Sequence, residues 1–225
     1  MTYLNTKAMN LSATLPVEQI VPWLNGEIWP EIHAMMHNDA YFKLWYKAYE
    51  IAAIPLGPIA QMVMNGYTTY QLAAIRRLCD RRKQPDIISL PKILEGIGTA
   101  HPHQMALVDS LIVRLKKECD ELYTLATQYI AHNGDPATPN WREWKLTNSQ
   151  IVLAQKAICE VAIIIERDLL SVTQRTHLIP VPQFDYLAEI RPLLPEDKLN
   201  ILREFWYKHN ESVNAWLQVR RAVGP

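Results

Sequence analysis

The chain carries no excess of charge of either sign. Its 225 residues hold 23 lysines and arginines against 23 aspartates and glutamates, a formal net charge of zero. A long-range field that gathers nucleic acid is thereby excluded, and any contact with phosphate must come from a local patch. Cysteine is sparse as well. Cys79, Cys119 and Cys159 are an odd number, far apart, each in a segment with helical periodicity. That excludes a disulfide scaffold and predicts free thiols in a reducing compartment. No stretch alternates convincingly as a strand, so a sheet has no support. Long apolar runs are missing too. The most apolar one, Ile151 to Ile165, is broken by Gln155, Lys156 and Glu160 and is shorter than a bilayer requires. The first fifteen residues are too polar for a secretory signal, so a cytoplasmic protein with no membrane partner is expected.

What is present is helical periodicity over an ordinary apolar content. Hydrophobic residues make up 49% and charged residues 20%, enough to bury a core and too apolar for global disorder. The pattern predicts one all-α domain over 1–225, with a loose lead-in over 1–15 and an irregular, proline-containing connection over 173–194. Four principal helices are expected at roughly 58–83, 104–133, 150–171 and 196–217. Pro22 and Pro30 limit the region from Val17 onward to short or kinked helices, with Glu31 to Met36 as a second piece and Asp39 as a cap for a third running to about Ala53. A bend is expected at Asn65-Gly66, or a fresh helix start at Thr68 with Gln71 at capping-box spacing. Ser89 and Pro91 open a short helix, and Thr147 to Ser149 offer a cap for the third principal helix.

The long second helix sets out one face through Val108, Leu111, Leu115, Leu122, Leu125 and Tyr129, and that face arrives at His132. Asn133-Gly134 then stops the helix. A histidine in the last turn sits at the negative end of the helix dipole, which favours its protonated form. On the last helix, Leu199, Leu202, Trp206, His209, Val213 and Trp216 make a narrow seam suited to a helix of the same or another chain.

Three clusters carry candidate chemistry. Residues 76–83 hold five cations in eight positions. They read as a solvated helix C-terminus, as a phosphate-binding patch, or as an ion pair around Arg76-Arg77-Asp80 that fixes the short helix after it. His33 and His37 stand four apart on one helical face, with Asp39 nearby as a third metal ligand. His101-Pro102-His103 is a loop pair with no acidic or thiol partner close in sequence.

Two segments together resemble a known family. In residues 70–94, Tyr70, Gln71, Ile75, Arg76, Arg77, Asp80, Ile88, Ser89, Leu90 and Leu94 resemble a signature of abortive-infection AbiU-type proteins of the HEPN superfamily. Ala131-His132 resembles the Ala-His that ends the long third helix of HEPN proteins. The order of helices from about residue 30 to 217 fits as well. The resemblance implies a helical bundle, usually dimeric, linked to phage defence or toxin–antitoxin systems and acting on or binding RNA. It implies no cofactor and no metal, and as partners RNA or a nucleotide, a second copy and an antitoxin or other protein. Many such proteins are metal-independent ribonucleases with an arginine four to six residues before the histidine. His132 is then the proton donor or acceptor, and Arg76 and Arg77 are the candidate phosphate contacts. Chemistry explains both residue types, since a base must help the ribose 2′-hydroxyl attack phosphorus while a fixed cation holds the phosphate.

The sequence departs from that pattern at the arginine. Leu125, Ala126 and Thr127 stand where it is expected, and Arg114 is eighteen residues upstream of His132, about 27 Å along a helix. Losing a preorganised charge costs about 3 kcal/mol, roughly a hundredfold in rate. Two alternatives therefore stand beside catalysis: a HEPN scaffold that binds without cleaving, and a metal-dependent helical-bundle enzyme using His33 and His37.

Overall fold

The computed structural model describes residues 17–82, 87–131, 146–172, 175–179, 186–188 and 190–218. Among them there is no strand. The helices are α1 (Val17–Trp23), α2 (Trp29–Ala52), α3 (Pro58–Leu78), α4 (Leu90–Ala100), α5 (Met105–Leu125), α6 (Asn148–Ile164) and α7 (Glu196–Asn214). The all-α bundle expected from the periodicity is therefore the observed architecture.

Helix α6 is the centre of the bundle because it is apolar almost all round. Ala154, Gln155 and every residue from Ala157 to Glu166 are buried. It packs against α5, α3, α2 and α4, while α2 packs between α3 and α7. The start of α6 is the one read from the sequence. The Thr147 side chain accepts from the Gln150 backbone N–H, and the Gln150 side chain answers on the Thr147 N–H, a complete capping box. A π-helical turn, Ile165–Leu169, continues it. The combined 22-residue segment is longer than the apolar stretch read from the sequence, and by length and composition it is long enough to cross a membrane. However, 67% of its apolar window is buried against the other helices.

The N-terminal region corrects the sequence reading. Short or kinked pieces were expected; a π-helical turn is the one interruption, and after it α2 is a single helix of 24 residues where two pieces were read. Pro30 stands in the first turn of α2, but the helical run is continuous from Val17, so its missing N–H leaves a gap in the ladder there. The π-helical turn, Leu24–Ile28, joins α2 to α1 at the place where Pro30 would have donated one turn back. Asp39 is no cap; it lies buried in mid-helix. Helix α3 also runs unbroken past Asn65-Gly66, and Thr68 starts nothing new. Gln71 turns inward instead. Its amide donates to the Met35 carbonyl and to Asn38 Oδ1, and it accepts from Gln155.

The seam on α7 is filled within the chain. Leu199, Leu202, Trp206 and Val213 are buried, and Trp206 lies against Tyr41 of α2 and Tyr186. All three cysteines are free and buried.

Candidate functional site

Of the residues that carry the family resemblance, Arg76, Asp80 and Ser89 meet where α3 ends against α5. Helix α3 is anchored there by Ile75 and Leu78, both buried, and it closes with the Cys79 N–H donating to the Ile75 carbonyl. The chain then turns at Asp80. Its carboxylate is 4% exposed and accepts from the Arg82 backbone N–H at 2.9 Å and from the Arg82 guanidinium at 2.7 to 3.1 Å. Tyr123 of α5 adds a longer contact at 3.4 Å. The Asp80 backbone carbonyl accepts from the fully buried Ser89 hydroxyl at 2.5 Å. Ser89 occupies the N-cap position of α4, as expected, but its hydroxyl ties α4 back to α3 and makes no capping bond. Burial alone would push the Asp80 carboxyl up. The Arg82 hydrogen bonds and the charges of Arg82 and Arg76 outweigh that and hold it below the ordinary range.

The cations of the run then separate by partner. Arg77 pairs with Glu31 of α2, Arg81 with Asp120 of α5, and Arg82 with Asp80. Arg76 differs. Its Nε donates to the hydroxyl of Thr127 at 3.2 Å, and among the described residues no carboxylate pairs with it. Thr127 lies in the π-helical turn Ala126–Ala131 that continues α5, and its own hydroxyl donates to the Tyr123 carbonyl at 2.9 Å. Arg76 thus reaches the turn of α5 where the resemblance calls for an arginine. Lys83 and His132 fall outside the described residues, as do Asn133, Gly134 and the tryptophan-bearing loop after them. The sequence reading missed Thr127, Tyr123, Asp120 and Glu31. These partners stand 39 to 51 residues from the side chains they meet, beyond any local signal.

A second polar centre, which no local pattern marks as a unit, lies between α2, α3 and α7. Asp39 is fully buried. It accepts from the Tyr67 hydroxyl at 2.7 Å and from Lys43 Nζ at 2.6 Å, with His209 Nε2 at 3.6 Å. Burial, then the Asp39 charge, pushes the Tyr67 phenol up, so it stays a donor. Burial and then the Lys43 ammonium push the His209 imidazole down, against the pull of Asp39. His209, on the seam of α7, leaves its buried Nε2 without a hydrogen bond. Beside this centre opens a cleft of about 520 Å³ lined by Phe42, Lys43, Lys47, Tyr67 and Phe205 among others. Its two lysines are each paired with a carboxylate, Asp39 and Glu50, which leaves little net field for an anion.

His33 and His37 do not form a metal centre. His33 packs on the Trp29 ring, His37 lies edge-on to Tyr41, and the Asp39 carboxylate is engaged by Lys43 and Tyr67. Among the described residues no three His, Cys, Asp or Glu side chains converge. His101 and His103 lie edge to face at 5.9 Å and meet no third ligand.

Comparison of the chain with protein-family models, with curated proteins and with solved structures returned no match.

Proposed function

We propose that the protein acts on or binds RNA at the end of the bundle where α3 meets α5, as a phage-defence protein of the HEPN kind. One observation carries the reading. The Arg76 guanidinium arrives from α3 at Thr127, five positions before His132 in the sequence, and in this reading it stands in for the cation that α5 lacks. In this reading Arg76 holds the phosphate and His132 moves the proton. The 2′-oxygen bonds to phosphorus, the P–O5′ bond breaks, and the leaving oxygen takes a proton, giving a 2′,3′-cyclic phosphate and a 5′-hydroxyl. That chemistry needs no metal or cofactor. A second copy would supply a second His132, and the three free, buried thiols fit a reducing cytoplasmic setting.

The test is cleavage of labelled cellular RNA in EDTA by the wild type, His132→Ala and Arg76→Ala. Cyclic-phosphate ends are expected from the wild type, with about a hundredfold loss in either variant. Arg76→Lys should recover only part, because an ammonium lacks the planar fork. Cleavage unchanged by either alanine would remove both residues from the site.

A second reading has its own observation. Arg77, Arg81 and Arg82 are each committed to a carboxylate that fastens α3 to α2, to α5 or to its own turn. A motif built to brace the junction describes a non-catalytic scaffold binding RNA, a nucleotide or a protein partner such as an antitoxin. In that case neither the wild type nor the variants cleave, and Arg76→Ala lowers only RNA binding.

A further inference from the structure

The α2–α3 hairpin ends in an apolar tip that no other part of the described structure covers. Ile54 is 47% exposed, Leu56 53%, Ile59 70% and Met62 68%. The turn itself is held, not loose. Ala53 adopts a left-handed conformation, φ 54° and ψ 35°, and the Ile54 N–H donates to the Tyr49 carbonyl at 3.2 Å. Pro55 and Pro58 fix the backbone on either side of Leu56. No charged side chain occurs between Glu50 and Arg76. Ile59 and Met62, three residues apart on α3, share one face and extend the patch past the turn.

Three occupants fit an apolar tip in principle: a second copy, a groove on another protein, or lipid. The four side chains expose roughly 400 Å², the size of a functional patch and about half of the ~800 Å² per partner that a stable dimer buries. The tip is also a convex turn, which offers a second copy no flat face. What lies behind it decides between the others. On α2, Tyr49, Tyr46 and Trp45 precede Ile54 by five, eight and nine residues, about 7–14 Å along the helix. Tyr46 is 37% exposed, and the Trp45 and Tyr49 rings meet at 4.5 Å. An apolar element at a lipid surface sinks about 5–10 Å, with tryptophan and tyrosine at headgroup level. The order along this hairpin is the same.

We infer that the α2–α3 tip is a site of shallow insertion into a lipid surface, with Ile54, Leu56, Ile59 and Met62 entering the acyl boundary and Trp45, Tyr46 and Tyr49 at the headgroups. The expectation of no membrane partner rested on the lack of a spanning segment, and a surface contact needs none. Charges near the tip are tied up. Lys47 pairs with Glu50 at 2.9 Å, and Lys198 Nζ donates to the Ile51 carbonyl at 2.7 Å. Binding is therefore apolar in origin, weakly dependent on anionic lipid and insensitive to salt. The inference is independent of the RNA reading.

The experiment is sedimentation of the full chain with vesicles of phosphatidylcholine alone and of phosphatidylcholine with one fifth phosphatidylserine. The wild type should bind both alike, and the Ile59→Asp, Met62→Asp double variant should lose about tenfold or more in partitioning with an unchanged melting temperature. Leu56→Trp should add fluorescence that lipids brominated on their upper acyl carbons quench. Absence of wild-type binding, or equal binding by the double variant, overturns the inference. So does a wild-type dimer that the same substitutions convert to monomer without any vesicle binding, since the tip then belongs to a second copy.

Discussion

Two carboxylates organise this protein, and they do so in opposite ways. Asp80 closes the junction between α3 and α5, and most of its partners are local. Arg82, its side chain half in water, is two residues on, and Ser89 is nine. Asp39 sits in mid-bundle, and beyond Lys43 its neighbours come from far along the chain, Tyr67 from α3 and His209 from α7. The first arrangement is a turn reinforced by charge. The second is a buried charge that exists because three helices surround it. Removing a carboxylate from a half-solvated pair lets the arginine return to water. Removing it from a closed centre strands its donors.

The largest expected effect follows from that difference. Asp39→Ala leaves the Tyr67 hydroxyl buried without its acceptor and Lys43 only partly able to reach water. It should cost about 3 kcal/mol, or roughly 6–12 °C in melting temperature for a chain of this size. Asp80→Ala should cost less, about 1–2 kcal/mol by denaturant titration, because Arg82 is half exposed and the Ser89 bond to the Asp80 carbonyl survives. Equal losses at the two sites would end the contrast between them.

Acid sharpens the comparison further. His209, facing Lys43, Asp39 and the Phe205 ring, is held below the ordinary histidine value in the folded state. The unfolded chain therefore takes up that proton first. Stability from this group is present above about pH 6.5 and is lost as pH falls towards the folded value, at no more than about 1.4 kcal/mol per pH unit. His33 is lowered too, by burial and then by Arg175, so it adds a loss of the same sign. Glu166, raised chiefly by burial, acts oppositely and is lost as pH rises. His209→Leu should flatten the stability curve between about pH 7 and about pH 5. Asp80, lowered, contributes stability that is fully present above about pH 4 and is lost only as pH falls below that. The smallest effect belongs to the exposed pair at the junction. Arg77→Ala should change stability by about 0.5 kcal/mol or less, since Arg77 is 53% exposed. A much larger loss would make the junction as closed as the Asp39 centre.

Periodicity alone reached the helices. Val108, Leu111, Leu115 and Leu122 are buried in α5 as their spacing predicted, and Thr147 with Gln150 caps α6 as two residues three apart can. It failed at Pro30 and Asp39, where the rule for local breakers gave way to tertiary packing. A π-helical turn accommodates the missing N–H of Pro30, and an aspartate that reads as a cap can be neutralised by a lysine one turn on and a tyrosine from the next helix.

The amino-acid sequence by itself determined the all-α class, the apolar faces, the cap of α6 and the cluster of cations ending α3, because each depends on residues within a few positions of one another. Only the tertiary structure decided where those cations go. Arg77, Arg81 and Arg82 meet carboxylates while Arg76 meets Thr127, and that choice depends on how α3 lies across α5, a relation no local spacing contains.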